Sequence, residues 1–441
     1  MKIFSFPSAA AEKRLAAIVN RDLAIRKKDL QAVSRIIAAV RRRGDSALVE
    51  YTRHFDAPDL TAADIAVGPQ EIAAARSQVD QGFMRALDRA ERQIADFHRQ
   101  QVSQSWIRAQ RPGTLVGQLV NPVDAAGIYV PGGKQGKTPL VSSVLMGAIP
   151  ARIAGVRRLV MATPPTRDGT VDPHLLVAAQ KAGVDAVYRV GSAWAIAALA
   201  YGTETIPAVE VIVGPGNIYV TLAKKLVAGT VGIDMIAGPS EILVIADRSA
   251  RPAFAAADLL SQAEHDPLAS AVLLTDSVEI AKAVVDAVRD QLPHLARREI
   301  AEASLARYGA VLTVPDIATA VALANRIAPE HLELQLAAPF DWVGRIRNAG
   351  AVFLGHFTPE PAGDYVAGPN HVLPTAGTAR FSSALCVDHF TKKTSLIHYS
   401  PAALQDEARD IIRLAETEGL GAHANAVRVR LEAQPGDTQA P

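Results

Sequence analysis

From Thr114 onward, short apolar runs of two textures alternate along the chain, and this alternation constrains the fold more than any other feature. A first series reads GIYV, SSVLMGAIPARIAG, RRLVMAT, HLLVAAQKAG, AVYRV, AIAALAYG and VEVIV. A second reads EILVIAD, FAAADLLSQAEHD, AVLLT, VEIAKAVVDAVRDQL, GAVLTV, IATAVALANRI and GAVFLG. Strand-like runs followed by helical runs predict parallel sheets with covering helices, so two α/β units of similar size are expected. Before Thr114 the pattern is helical. DLQAVSRIIAAVRRRG and MRALDRAERQIADFHRQQ place apolar side chains three and four residues apart among charges. Near the C-terminus one further helix is predicted, with Ser400 as cap, Pro401 as first residue and Gly419 as stop, before a frayed PGDTQAP end. At 441 residues and 49% hydrophobic content the chain is long enough for two or three buried cores.

The charge balance narrows the partners. Lys and Arg number 46 against 45 Asp and Glu, for a net charge of +1, so nothing calls for nucleic acid. Cys386 is the single cysteine, which excludes an intrachain disulfide and a Cys-based zinc knuckle and fits the cytoplasm. Charges at Glu12, Lys13 and Arg14 interrupt the start before any signal-like apolar segment. No run of about 18 uncharged apolar residues predicts a membrane span.

Residues 129–138, YVPGGKQGKT, raise the question of a phosphate-gripping P-loop. That loop needs four residues between its first Gly and its Gly-Lys-Ser/Thr. Only three separate Gly132 from Gly136, and one position further back stands Pro131. Proline neither takes a positive φ nor donates an N–H, and a phosphate nest needs both. A Gly-rich strand-to-helix turn still suits the phosphates of a dinucleotide. A second such turn is Gly214-Pro215-Gly216-Asn217, where Tyr219 replaces the third glycine of the dinucleotide fingerprint. A plain tight turn explains it equally well.

Four places concentrate ligand and acid–base side chains. In SQAEHDP, Gln262 and His265 are three apart on one helix face, and Pro267 ends that helix, turning its negative dipole end toward any cation nearby. In IAPEHLEL, Pro329 breaks a helical run and leaves Glu330 and His331 side by side at a turn, a carboxylate–imidazole pair suited to proton removal. PAGDYVAGPNHVLP carries Asp364 and His371 in a Gly- and Pro-rich loop, and ETEGLGAHAN carries Glu418 and His423 at a helix junction. Each has an ordinary alternative as a cap, a turn residue or a solvated face.

Taken in order, GIYVPGG, SSVLMGAIPARIAGV, AIAALAYGTETIP, VGPGNIYV, GIDMIAGPSEILVIAD, SQAEHDP, APEHLEL, GPNHVLPT and EGLGAHA resemble the histidinol dehydrogenases over nearly the whole chain. The resemblance implies an α/β fold of two incomplete Rossmann-like parallel-sheet domains, with a helical N-terminal region and a helical, domain-swapped C-terminal tail. Its expected parts are an arm over 1–26, a discontinuous first domain over 27–125 and 241–385, a second domain over 126–240, and a dimer-exchanging tail over 386–441.

The activity it implies is the four-electron oxidation of L-histidinol through L-histidinaldehyde to L-histidine with two NAD, the last step of histidine biosynthesis. One zinc ion per subunit would be held by Gln262, His265, Asp364 and His423. Glu330 would activate water and His331 would act as base. Ser240, His371 and Glu418 would hold substrate together with the ligands and His331. In the homodimer, Glu418 and His423 would complete the neighbouring subunit's site. NAD contacts are expected at Tyr129, the Gly132-Gly133 turn and Asn217, and at Trp194, where the commoner pattern has Gln. The stretch KQGKTPLV is longer than usual and adds Lys134 and Lys137. It keeps open a paralogue oxidising another small polar alcohol, such as sulfopropanediol. A P-loop nucleotide-binding protein is the remote alternative.

Overall fold

The computed structural model describes residues 1–21, 26–132 and 138–432. Among these residues 14 strands form three sheets. Ile3–Ser5 (β1) opens the chain; Trp106–Arg111 (β2) and Thr114–Pro122 (β3) form a hairpin. Ala125–Tyr129 (β4), Arg158–Thr163 (β5), Ala186–Arg189 (β6), Val211–Val213 (β7) and Gly232–Ile233 (β8) make a five-stranded parallel sheet in the order β6-β5-β4-β7-β8. Glu241–Ala246 (β9), Ser270–Thr275 (β10), Ala310–Thr313 (β11), His331–Gln335 (β12) and Ala351–Leu354 (β13) join β1 in a six-stranded parallel sheet, ordered β1-β11-β10-β9-β12-β13. Parallel strands with helices on both faces have no wet side, and β7, β9, β10 and β12 are accordingly buried along their whole length.

The early helices belong to the five-stranded sheet, which corrects the grouping of 27–125 with 241–385. Lys27–Arg43 packs on the helices Ser192–Tyr201 and Ile218–Val227, Pro69–Ala75 on Pro173–Lys181, and Gln81–Arg99 on Val141–Ala154. Val33, Ile37 and Val40 enter the same core as Ala195–Ala200. Periodicity in those helices marks a buried face without saying what covers it. The first residues are likewise more than an arm. β1 is an edge strand beside β11, and Leu15 and Ile18 fill the core under the six-stranded sheet.

A second compact unit comprises residues 103–122 and 391 onward. In it Thr391–Tyr399 (β14) pairs antiparallel with β3, in the order β14-β3-β2, so this tail carries a strand as well as helices. Ser400 caps the helix Pro401–Thr417 by accepting the Ala403 N–H at 3.2 Å, and Gly419 follows with a φ of 73°. The helix Gly421–Glu432 then packs back on Pro401–Thr417. Among the described residues no helix is long and apolar enough to cross a membrane.

Candidate active site

The helix Ile317–Ile327 ends on Ala328 at a φ of 54°, an uncommon left-handed turn for a residue with a Cβ, and Pro329 prevents its continuation. The chain then enters β12 with Glu330 and His331 at its amino-terminal end, directly beside the start of β9. Glu330 Oε2 accepts the Glu241 N–H at 2.9 Å, and Glu241 Oε2 accepts the Glu330 N–H at 3.2 Å. Glu241 also accepts from Ala376 N–H at 3.1 Å and ion-pairs with buried Arg21. Burial, reinforced by the charges of Glu241, Asp364 and Glu360, pushes the Glu330 carboxyl well above the usual carboxylate range.

His331 Nδ1 lies 2.9 Å from the carbonyl oxygen of Glu241. A carbonyl only accepts, so Nδ1 carries the hydrogen and Nε2 keeps its lone pair. Burial lowers this imidazole's pKa to about 4, leaving it neutral at physiological pH. Nε2 points toward Glu360, whose Oε1 is 3.6 Å away.

Glu360 opens the short helix Glu360–Tyr365, and its N–H donates to Glu333 Oε1 at 3.0 Å. Asp364 lies one turn further on the same face. His331, Glu360 and Asp364 each offer a ligand atom within 4.8 Å of the others. Burial, then the Asp364 charge, raises Glu360 to about 8. His371 closes the group. Its Nδ1 is 3.1 Å from the Asp364 carbonyl and 3.7 Å from Asp364 Oδ1, and burial lowers its pKa. A cavity of about 290 Å³ is lined by His331, Phe353, Asp364, Asn370, His371 and Leu373, among others.

Gln262 stands in the last turn of the helix Pro252–Ala263, 1% exposed, and its amide makes no well-aligned hydrogen bond, though it is near enough to the Glu360 carboxyl to act on it. Glu360 Oε1 is buried and unpartnered too. Orphaned buried acceptors beside two carboxylates are costly unless a cation or ligand claims them. The donor set therefore fits a divalent metal. His265, just past the same helix, is exposed but close enough for its charge to act on His331 and His371. Ser240 directly precedes β9, and its carbonyl accepts the Ser270 N–H at 3.0 Å.

The predicted dinucleotide residues lie at the carboxyl ends of the five-stranded sheet. Tyr129 ends β4, buried, and its hydroxyl accepts the Ser192 N–H at 3.0 Å. Asn217 caps the helix Ile218–Val227 by accepting from Tyr219 and Val220 N–H groups. β4 and β7 leave from the point where the strand order reverses, the place where open parallel sheets receive ligands. Gly132 is buried; Gly133 and the lysines at 134 and 137 lie outside the described residues. Trp194 is a correction. Its ring is 4% exposed, stacks on Tyr51 and Phe55, and donates Nε1–H to Thr52 Oγ1 at 3.1 Å, so it offers a cofactor no open face.

Comparison with known proteins decides the family. The family model described as histidinol dehydrogenase matches residues 20–431. The chain is 55% identical to the histidinol dehydrogenase of Desulfotalea psychrophila, over 96% of this chain and 98% of that one. It is 51% identical to that of Geobacter sulfurreducens, over 98% of this chain and 100% of the other. The crystal structure of histidinol dehydrogenase from Elizabethkingia anophelis superposes with a TM-score of 0.92 at 38% identity, covering 98% of both chains. This chain belongs to the histidinol dehydrogenase family.

It is accordingly an oxidoreductase, and of the predicted residues the structure sets His331, Asp364 and His371 around one cavity, with Glu330 next to His331 behind it and Gln262 and His265 close by. Glu418 and His423 belong to the second compact unit, where both are exposed: Glu418 caps the helix Pro401–Thr417, and His423 lies in Gly421–Glu432. Two carboxylates of this histidinol dehydrogenase family member are not among the residues predicted from sequence. Glu360 had a signal, its four-residue spacing from Asp364 in EPAGDY. Glu241 reads only as the first residue of an apolar strand.

Proposed function

We propose that this enzyme oxidises L-histidinol through L-histidinaldehyde to L-histidine, reducing two NAD in succession, in the cytoplasm. The observation that carries the reading is the buried Glu330–His331 pair, its imidazole tautomer fixed, opening on a cavity beside a metal-compatible set of donors.

Gln262, His265 and Asp364 would hold zinc, with His423 from a second copy of the chain, and the bound ion would supply an anchor for the substrate's nitrogens. Tyr129 and Asn217 would lie beside bound NAD, which would supply the hydride acceptor. The protein's own residues move the protons. His331 Nε2 removes the hydroxyl proton as the carbon-bound hydrogen leaves as hydride, which gives the aldehyde. Glu330 takes a proton from water as the oxygen attacks the aldehyde carbon, and solvent returns a proton to the former carbonyl oxygen, giving the hydrate. Burial makes the ionised Glu330 a stronger base than an exposed carboxylate. His331, having passed its first proton to solvent, takes the hydrate's hydroxyl proton as the second hydride departs. Ser240, His371 and Glu418 hold the substrate.

The shared homodimer is part of this proposal. Ile107, Ile397 and Leu414 of the second unit are 60%, 72% and 66% exposed, and apolar side chains left this open support burial against another copy. The test is NADH formed from limiting L-histidinol in zinc-loaded protein with excess NAD. Two NADH per histidinol, with histidine as product, is the expected result. Folded, zinc-loaded protein that stays silent on histidinol and turns over another small polar alcohol overturns it.

A further inference from the structure

The turn that carries Asn217 is fixed from beneath by two charges that belong to no catalytic motif. Gly214 follows β7 at a φ of 118°, and a Cβ there would overlap the Tyr129 carbonyl oxygen, so the turn is pressed against the end of β4. Both peptide groups of Gly214 are taken by side chains. Its N–H donates to Asp234 Oδ2 at 2.8 Å, and its carbonyl accepts from Lys224 Nζ at 2.9 Å. Lys224 and Asp234 are themselves an ion pair, with side chains 3% and 0% exposed. Asp234 follows β8 and also accepts the Met235 N–H at 2.6 Å. Lys224 stands on the very helix that the turn opens, reaching back ten residues to Gly214. The ring Lys224–Gly214–Asp234 therefore ties the ends of β7 and β8 to the interior of that helix.

Desolvating a Lys–Asp pair is costly, and apolar side chains of like volume often hold a core equally well. What apolar side chains cannot do is grip both peptide groups of one glycine. We propose that Lys224 and Asp234 are positioning residues for the dinucleotide: they hold Gly214–Asn217 in its binding shape beforehand, so that the cofactor does not have to order the turn. This inference rests on the proposed NAD site.

The experiment measures NAD dissociation constants by titration calorimetry on the full-length, zinc-loaded protein, with zinc content and the L-histidinol dissociation constant recorded alongside. Asp234→Asn keeps an acceptor for Gly214 but loses the charge. The double variant Lys224→Met/Asp234→Asn leaves no unpaired charge buried. The double variant is expected to bind NAD about tenfold more weakly, equivalent to about 1.4 kcal/mol, with zinc and histidinol binding unchanged. A folded double variant that binds NAD within twofold of wild type, even with a lowered melting temperature, overturns the positioning role. Failure of both variants to fold overturns it as well, since the pair would then be a fold determinant. Asn217→Ala separates the two claims. If it weakens NAD binding while the double variant does not, only the clamp is wrong; if neither weakens it, the cofactor site itself lies elsewhere.

Discussion

Glu241 and Glu330 exchange backbone-to-carboxylate hydrogen bonds across neighbouring parallel strands, each accepting the other's N–H, at 2.9 and 3.2 Å. Two buried carboxylates so close are compatible because Arg21 pairs with Glu241 on the side away from Glu330's N–H. Arg21→Met removes that cation and leaves a buried charge without its partner. A loss of about 3–5 kcal/mol in unfolding free energy is expected by urea titration. Arg21→Met/Glu241→Met should recover much of it; a single variant as stable as wild type would remove Arg21 from this account.

Glu330→Gln keeps the acceptor for the Glu241 N–H and removes the base. Oxidation of L-histidinaldehyde should slow by about 10²–10⁴-fold, and the first hydride transfer from L-histidinol far less. Stopped-flow records of NADH from each substrate test this. Equal damage to both steps would deny Glu330 its part in activating water.

Glu360 gives a pH prediction with a definite sign. Its carboxyl is raised from 4.5 to about 8, first by burial and then by Asp364. Between those values the unfolded chain has released a proton that the folded chain retains, so this residue's contribution to stability declines as pH rises from 4.5 to 8. In chelator-treated protein, Glu360→Gln should gain on wild type by about 2–4 kcal/mol between pH 5 and pH 8. Urea midpoints at the two pH values measure it, and parallel curves would contradict the assignment.

The proposed sharing of the site between two copies predicts complementation. His265→Asn and His423→Asn homodimers should each lose zinc and activity. After subunit exchange, verified by mass, hybrids carrying one of each should regain about half of the sites, since one site per hybrid keeps both histidines. Exchange without recovered activity would place the two residues in separate roles.

Much of this was readable from residue order because it depends on local chemistry. The apolar strand–helix alternation gave both parallel sheets, and Pro329 after IATAVALANRI placed Glu330 and His331 together at a turn. What escaped depends on packing across long separations. The apolar stripe of Lys27–Arg43 has the same look whichever sheet covers it, and it covers the five-stranded one. Glu241 and Glu360 look like ordinary strand and helix starts until β9 and β12 lie side by side. Trp194 sits where a cofactor residue was expected, yet Thr52, 142 residues away, claims its indole N–H.

The group that orients His331 is the main-chain carbonyl of residue 241. No amino-acid replacement deletes a peptide oxygen. Sequence drift at 241 can therefore alter the charge beside Glu330 while the ring's alignment is inherited through the pairing of β9 with β12. The alignment of the proposed base thus rests on backbone that no substitution at 241 removes, and a slip in strand register would undo it.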